Sequence, residues 1–449
     1  MTVTDEPTTN AVLGTPMLRK EDPALLTGEA VYCNDMQVPG AWHLAVKRSD
    51  FAHANITGVD ISGALAMDGV HAAYTGADLQ EAWGAPMPCA WPVTDDMKNP
   101  AHFPLAVDKV NYVGDGVAVV LAETEAIARD ALEAITVDYD PLEAVLDLED
   151  ALSDRVVIHG DIGTNSSYTW PLLVEENEGD VERAFADAAF TVNERYVQQR
   201  LIPMAMEPRA VVAMPQPFGG DMTLYSSTQV PHILKVMVAL TLGIPEHQMR
   251  VVCPAVGGGF GSKLNVYAEE LLCVALARKH NVSVRWNEER SEGTHATIHG
   301  RGQIQHVELA ADANGKLTGM RVRLVGDMGA YLQLVTPGVP LLGAFLYGGV
   351  YELPKAFDFS CTSVFTTMTP TDAYRGAGRP EATYAIEHAM DALARKMGID
   401  PLDLRRRNFI PKEAFPYEAY TGLVYDSGDH DKAATIAEDL IDYSGLRAR

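Results

Sequence analysis

The sequence predicts an α+β protein of more than one domain. Its 449 residues suit roughly two to four domains. Hydrophobic residues make up 47% of the chain, which is enough for sizeable cores. Strand-like and helix-like patterns also alternate along the chain without an internal repeat.

The first part of the chain mixes short strands and helices. A turn and an apolar strand occupy 113–123, Thr124 is a candidate N-cap for an Ala-rich helix, and a further strand follows at 136–140. The segment "HGDIGTNSSYTWP" lacks periodicity and is rich in turn-forming residues, so it is the best domain boundary. We therefore expect a domain at 1–150, a linker at 151–170 and a second domain at 171–449.

Composition excludes several classes of function. The formal net charge of −26 disfavours nucleic-acid binding, because such a surface repels phosphate backbones. The five cysteines form no CxxC pair and no HExxH motif is present, so the pattern is neither a disulfide framework nor an iron–sulfur or zinc site. The N-terminus does not resemble a secretory signal, so we expect a soluble cytoplasmic protein. The uncharged segment 332–351 contains two prolines and four glycines, and we expect it to be buried and irregular.

A glycine-rich loop, "VGGGFGSK", follows the predicted strand Met249–Val252 and precedes a predicted helix over Leu264–His280. It is not a Walker loop, because Lys263 has Ser262 before it and Leu264 after it. Its glycines also lack the spacing of a dinucleotide fingerprint. A tight turn, or a backbone that receives an electron-rich ligand, remains as the explanation.

Two other loops share this setting. Gln229 lies between a strand and a helix, and Arg375–Arg379 ("RGAGR") precedes a helix that Pro380 begins and Gly398 ends. Between the glycine loop and this third loop, "DANG" predicts a hairpin turn and "ERSEGTHATIHGRGQ" a polar loop or surface turn. Three loops near helix N-termini indicate a cradle for a large, anionic, non-protein cofactor.

The motifs "STQ", "VGGGFGSK" and "AYRGAGRP", in this order, resemble the large subunit of the molybdenum hydroxylases. This family includes xanthine oxidase, aldehyde oxidoreductase and carbon monoxide dehydrogenase. The resemblance covers nearly the whole chain. It implies a small α/β hammerhead domain followed by a mixed α/β molybdopterin-binding domain.

The resemblance also implies roles for individual residues. The side-chain amide of Gln229 would donate to an oxo group on molybdenum, as would the backbone around Phe260 and Gly261, while Arg375 would approach from the third loop. The cofactor would be molybdopterin in its cytosine dinucleotide form. The full implied cofactor-binding set is Gln229, Gly258, Gly259, Phe260, Gly261, Arg375, Gly376, Ala377 and Gly378.

In this family a glutamate acts as general base, and electrons pass through [2Fe–2S] clusters to FAD. The chain has neither an iron–sulfur pattern nor a flavin fingerprint, so the resemblance implies partner subunits that carry these groups. Relatives place the glutamate in a second half, which we expect on another segment or chain. No residue here is therefore nominated as the base.

The resemblance suggests a substrate class. Gly376 occupies the position of the copper-binding Cys of carbon monoxide dehydrogenases, and Leu264 occupies that of a Glu in purine hydroxylases. Small Ala377 replaces a large aromatic residue. We therefore expect an aldehyde or an apolar N-heterocycle as substrate. The alternatives are that Leu264 merely faces a core, that the enzyme resembles carbon monoxide dehydrogenase without its copper-binding Cys, or that the chain is a non-catalytic paralogue.

Overall fold

The computed structural model describes residues 15–216 and 221–449. Its strands, in chain order, are β1 Trp42–Arg48, β2 Ala54–Asp60, β3 Val70–Thr75, β4 Lys109–Val110, β5 Gly116–Ala122, β6 Thr136–Pro141, β7 Ser166–Leu172, β8 Phe190–Leu201, β9 Ala210–Pro215, β10 Met222–Ser226, β11 Met249–Val252, β12 Val284–Asn287, β13 Gly300–Ala311, β14 Leu317–Gly329, β15 Ala356–Phe365, β16 Tyr417–Glu418 and β17 Val424–Tyr425.

The described helices range from 4 residues (Ser62–Leu65) to 19 residues (Arg379–Met397), and two of them end at a left-handed glycine, Gly28 or Gly398. In chain order they are α1 Asp22–Thr27, α2 Ser62–Leu65, α3 Glu125–Glu133, α4 Leu148–Leu152, α5 Val174–Ala186, α6 Pro231–Thr241, α7 Ala268–His280, α8 Arg290–Ala296, α9 Gly338–Ala344, α10 Arg379–Met397, α11 Pro401–Asn408, α12 His430–Leu440 and α13 Tyr443–Ala448. Short 3-10 turns occupy Cys33–Asp35, Ala77–Ala82, Glu246–Gln248 and Lys412–Ala414. None of the described helices has both the length and the apolar character needed to cross a membrane.

One seven-stranded sheet joins the front of the chain to its middle. Its order is β11-β10-β9-β12-β1-β5-β3, and β1 pairs in parallel with β12 through Trp42 opposite Val284. All seven residues of β5 are buried, as expected for a strand covered on both faces. The first 150 residues therefore share this sheet with the second predicted domain, although β2, β4 and β6 form a separate three-stranded sheet in the order β4-β2-β6.

A second sheet of five strands has the order β7-β15-β14-β13-β8. Its apolar face packs with α10 around a core that includes Phe357, Phe359 and Leu393. The core of the seven-stranded sheet contains α6 and α7. Leu271 to Val274, four consecutive residues of α7, are all fully buried, so this helix is surrounded by protein.

Most locally predicted elements are present. Strand β11 has the predicted bounds, and the Thr124 hydroxyl accepts a hydrogen bond from the Ile127 N–H at the start of α3. The "DANG" turn connects β13 to β14, and Gly398 ends α10 in a left-handed conformation. Segment 332–351 is largely buried, as expected, although it contains the short helix α9.

Two predicted elements are wrong. Helix α7 begins at Ala268 and not at Leu264, because the chain first makes tight turns in which the Ser262 and Leu264 N–H groups donate to Gly259 and Gly261. The segment expected to be a polar loop forms helix α8 and the start of strand β13. Glu292 at the start of α8 pairs with distant Arg48, a tertiary contact that periodicity cannot reveal.

Strand β7 begins at Ser166, inside the segment expected to be a linker. It pairs antiparallel with β15 at the edge of the five-stranded sheet. Its edge position explains how a strand can contain Pro171.

Candidate functional site

Sheet topology brings the first two predicted loops together. Gln229 follows β10, the glycine loop follows β11, and these strands are parallel neighbours. Because the carboxyl ends of parallel strands meet at one sheet edge, both loops emerge there. The glycine loop does not lead straight into a helix as expected, since α7 starts at Ala268, five residues after Lys263.

The Gln229 side chain makes a direct contact with the glycine loop. Its Oε1 accepts a hydrogen bond of 2.9 Å from the Gly261 N–H, and its backbone N–H donates to the Lys263 carbonyl at 2.7 Å. Gln229 itself is exposed. In the described part of the chain its Nε2 donates to no group, so both of its N–H donors stay available.

The third loop joins the same site. The Arg375 N–H donates to the Phe260 carbonyl at 2.8 Å, and the Arg375 guanidinium carbon lies 5.8 Å from the centroid of the Phe260 ring. Phe260 is 40% exposed, so its ring is not part of a core. All three predicted loops therefore meet at one accessible surface, which we call the three-loop face (Gln229, Gly258–Gly261 and Arg375–Gly378).

Glycine is required at several positions of the three-loop face. A Cβ on Gly259 would overlap Gln229 Oε1, and a Cβ on Gly261, where φ is +104°, would overlap the Ala373 carbonyl oxygen. In the third loop, a Cβ on Gly376 would lie 2.5 Å from the Pro380 ring and one on Gly378 would lie 2.5 Å from the Gly343 nitrogen. The glycines thus permit the close approach of the three loops and of α9.

The three-loop face exposes unused backbone donors. Within the described residues, the N–H groups of Gly258, Gly259, Phe260 and Gly376 donate to no atom, whereas the Gly378 N–H donates to the Glu381 carboxylate. The Gly261 N–H, by contrast, is committed to Gln229. Successive free N–H groups in turns with left-handed residues form a concave site for an electron-rich group.

Two non-glycine residues of this face also have left-handed backbones. Phe260 has φ of +55° and Ala377 has φ of +41°. Such conformations cost about 1–2 kcal/mol for a residue with a side chain, so the surrounding contacts must hold them. Strain of this kind is concentrated at functional sites.

The predicted substrate-facing residues lie on the turns of this face. Leu264 is half-buried and its N–H donates to the Gly261 carbonyl, while half-buried Ala377 donates to the Tyr374 carbonyl. Helix α9, from the uncharged segment 332–351, packs against the third loop at Gly378.

Sequence reasoning missed the residues that anchor the third loop. Arg301 donates to the carbonyls of Tyr374 (3.1 Å) and Arg375 (3.0 Å) and pairs with Glu381 at 3.2 Å. The Asp372 carboxylate accepts from the Ala373 and Val335 N–H groups, and burial raises its pKa to about 6. Neither residue stands in a motif whose spacing would have singled it out.

A buried charge network lies behind the glycine loop and was also missed. The Glu269 carboxylate bridges Arg48 at 2.5 Å and Arg209 at 2.8 Å, and Arg209 also pairs with Glu288. Burial opposes ionisation of Glu269, but the two arginines outweigh it and lower its pKa to about 2. Arg209 lies over the ring of Tyr267, 3.8 Å from its centroid, and the Tyr267 hydroxyl donates to the Ser262 carbonyl at 2.6 Å.

Comparison with known proteins identifies the family. Residues 161–409 match the molybdopterin cofactor-binding domain, and residues 27–143 match the a/b hammerhead domain of aldehyde oxidase and xanthine dehydrogenase. The chain belongs to the molybdenum hydroxylase family and contains its hammerhead and molybdopterin cofactor-binding domains. The predicted fold class is therefore confirmed, and all nine predicted cofactor-binding residues lie inside the range matched to the cofactor-binding domain.

Three relatives illustrate this membership. The chain is 34% identical to subunit gamma of the 6-hydroxypseudooxynicotine dehydrogenase complex of Paenarthrobacter nicotinovorans, over 99% of this chain and 57% of that protein. It is 31% identical to the nicotinate dehydrogenase large molybdopterin subunit of Eubacterium barkeri, over 88% of this chain and 89% of that protein. The crystal structure of quinoline 2-oxidoreductase from Pseudomonas putida 86 superposes with a TM-score of 0.89 at 33% identity, covering 97% of this chain and 55% of that one.

The chain thus spans little more than half the length of two of these molybdenum hydroxylases, but most of the third.

Proposed function

We propose that this chain contributes the three-loop face to the cofactor site of a molybdenum hydroxylase. The enzyme would insert water-derived oxygen at an electrophilic carbon of an aldehyde or an apolar N-heterocycle. The observation that carries the proposal is the meeting of Gln229, Phe260 and Arg375 from three distant loops, with N–H groups there that have no acceptor in the described part of the chain.

The residues present fit a molybdenum–pterin cofactor. Glycines clear the backbone where a Cβ would overlap a neighbouring loop, and the free donors are neutral amides, which suit oxo and phosphate oxygens. When bound, the cofactor would supply oxygen insertion and two-electron redox chemistry. The cofactor would be in its cytosine dinucleotide form, whose phosphates would meet the free Gly376 N–H of the third loop near the N-terminus of α10.

Each loop would then have its own task. The Gln229 Nε2 and the Phe260 N–H would donate hydrogen bonds to the metal's oxygen ligands, while the Gly261 N–H would hold the Gln229 amide in place. Arg375 would approach from the third loop, and Gly258, Gly259, Gly376, Ala377 and Gly378 would contact the pterin. We also propose that the chain divides into a domain at 1–150 and a second domain at 171–449, although the seven-stranded sheet contains strands from both.

The substrate class is proposed from three positions. Gly376 offers no thiolate for copper, Leu264 offers no carboxylate to a purine, and Ala377 is small. A site with few polar side chains has few hydrogen-bonding groups that an apolar substrate would leave unpaired. Such a site therefore favours apolar aldehydes and N-heterocycles.

We propose that the working enzyme is a cytoplasmic hetero-oligomer. Partner subunits would carry [2Fe–2S] clusters and FAD, and a segment equivalent to the unmatched part of the longer relatives would supply the glutamate base and cover the exposed three-loop face. The 449-residue chain alone would then be inactive. Turnover by the isolated chain with an artificial dye as acceptor would contradict this.

The test is analysis of the complex purified from a molybdate-supplied host. We expect stoichiometric molybdenum by mass spectrometry of the metal, a pterin by fluorescence after oxidation, and CMP after acid release. Replacing Gln229 by Ala should lower molybdenum content or turnover while leaving the melting temperature unchanged, since Gln229 is exposed. A wild-type complex without molybdenum would contradict the proposal and favour a non-catalytic role.

The same complex decides the substrate class. It is assayed with carbon monoxide, xanthine, aromatic aldehydes and simple N-heterocycles, and we expect the highest kcat/KM in one of the last two groups. Highest activity on carbon monoxide or xanthine would overturn the substrate assignment without affecting the cofactor assignment.

A further inference from the structure

A single carboxylate bridges the two ends of the glycine loop. Glu207 Oε2 accepts a hydrogen bond of 2.7 Å from the Gly257 N–H, at the start of the loop, and one of 2.7 Å from Lys263 Nζ, at its end. These partners lie 50 and 56 residues away in the sequence. The segment that presents Glu207 connects β8 to β9 and is not one of the three loops.

The backbone contact between Glu207 and the loop is equally close. The Glu207 N–H donates to the Gly257 carbonyl at 3.1 Å, so the two residues exchange hydrogen bonds. A Cβ on Gly257 would lie 2.5 Å from the Glu207 Cβ, so glycine is what allows this approach. The Glu207 segment is itself held by Arg290 of α8, which donates to the carbonyls of Ala205 and Met206 at 2.7 and 2.8 Å.

Stability alone does not explain a charged pair here. The Lys263 side chain is 1% exposed and that of Glu207 is 12% exposed, so both charges are largely removed from water. The second oxygen, Glu207 Oε1, is buried and has no partner in the described part of the chain. An apolar pair of similar volume would avoid both costs, which indicates that the ion pair serves to fix a geometry.

The end of the loop that Lys263 anchors also carries Gln229. The Lys263 carbonyl accepts from the Gln229 N–H at 2.7 Å and from the Thr228 hydroxyl at 3.2 Å. Movement of Lys263 would therefore displace the Gln229 amide together with the Gly261 N–H to which it is bonded.

We propose that Glu207 and Lys263 are positioning residues that hold the glycine loop and Gln229 in the conformation that presents the free donors of the three-loop face. That these donors receive a molybdenum cofactor rests on the function proposed above. The positioning itself is a property of this chain and can be tested without the cofactor.

The experiment compares three variants in the full chain. Glu207→Gln keeps the side-chain volume and removes the charge. The double variant Glu207→Leu with Lys263→Met replaces the ion pair by apolar groups. Asp358→Asn is the matched control, because Asp358 is a buried carboxylate (2% exposed) that pairs with Arg321 and Arg323 in the five-stranded sheet.

Hydrogen–deuterium exchange followed by mass spectrometry is measured on peptides covering Cys253–Tyr267, with β5 as an internal reference. We expect exchange of the glycine-loop peptides to be at least about tenfold faster in both Glu207 variants, with β5 unchanged. Asp358→Asn should leave the loop as in wild type. The double variant should keep a melting temperature within about 3 °C of wild type, since apolar pairs replace buried ion pairs at little cost.

Unchanged exchange of the loop peptides in Glu207→Gln and in the double variant would overturn the inference. So would an increase of equal size in the loop and in β5, because that reports general loosening. Molybdenum content is a separate readout, expected to fall in both Glu207 variants. If wild-type protein holds no molybdenum, the proposed function fails, while the exchange data still decide the positioning role.

Discussion

At the scale of single residues, the site depends on left-handed backbone at both ends of the Phe260–Arg375 contact. Gly261 and Gly376 have φ values of +104° and +109°, and Phe260 and Ala377 accept strained values beside them. Left-handed glycine is also used where nothing lies near, as at Gly398, where no atom lies within 4 Å of an added Cβ. The two kinds of glycine differ in whether a neighbouring loop fills the space.

This difference predicts that a glycine-to-alanine substitution lowers the free energy of unfolding by different amounts at the two kinds of position. Gly261→Ala should lower the free energy of unfolding by about 3 kcal/mol, since the backbone strain is joined by overlap with the Ala373 carbonyl. Gly398→Ala should cost only about 1 kcal/mol, from backbone strain alone. Urea denaturation measures both, and equal losses would mean that the second and third loops do not approach as described.

At the scale of elements, the N-terminus of α7 carries two neighbouring carboxyl groups of opposite character. Arg209 and Arg48 overcome burial at Glu269 and lower its pKa to about 2. Burial dominates at Glu270 and raises its pKa to about 7, although the Ser226 hydroxyl and the Tyr267 N–H donate to it. The positive end of the helix dipole is available to both, so tertiary partners decide between them.

The pH dependence of stability should therefore have opposite signs at these two positions. At pH values above its ordinary pKa of 4.5, the Glu269 carboxylate stabilises the folded state by about 3 kcal/mol. This contribution is lost as the pH falls from about 5 to 2. The loss of unfolding free energy in Glu269→Gln should thus be largest at pH 7 and shrink toward pH 3.

Glu270 binds its proton more tightly in the folded state, so its contribution is present below pH 4.5 and is lost as pH rises through 7. The loss of unfolding free energy in Glu270→Gln should be largest below about pH 4.5 and shrink toward pH 8. Unfolding free energies of wild type and both variants across this range test the signs, and parallel pH profiles for the two variants would contradict them.

At the scale of the whole molecule, the seven-stranded sheet unites parts of the chain that match two different family domains. Strands β1, β3 and β5 lie within the range matched to the hammerhead domain, and β9 to β12 within that matched to the cofactor-binding domain. Arg48, at the end of β1, also pairs with Glu269 of α7 across this boundary. The site is thus supported from behind by the front of the chain.

A shared sheet predicts shared unfolding. Leu121→Ala in β5 and Leu234→Ala in α6 each remove a fully buried side chain from the same core and should each cost about 2–5 kcal/mol. Both should shift the same calorimetric transition to lower temperature. A transition that responds to Leu121→Ala and not to Leu234→Ala would show that the front of the chain unfolds independently.

The sequence by itself determined the elements with local signals and the identity of the three loops. Thr124, Gly398 and the strand Met249–Val252 could be predicted because a cap, a left-handed terminus and an apolar run depend on neighbours in the chain. The order of the three motifs sufficed to suggest the family and the nature of its ligand.

Only the tertiary structure decided how the loops are held. The pairing of β1 with β12, the helix at 290–296, and the contacts of Glu207 with Lys263 and of Arg301 with the third loop join residues that lie far apart in the chain. Hydrophobic periodicity states which face of an element is buried, but not which element covers it. The sequence likewise does not show which charged side chains pair, because residues far apart in the chain meet and leave water together only when the chain folds.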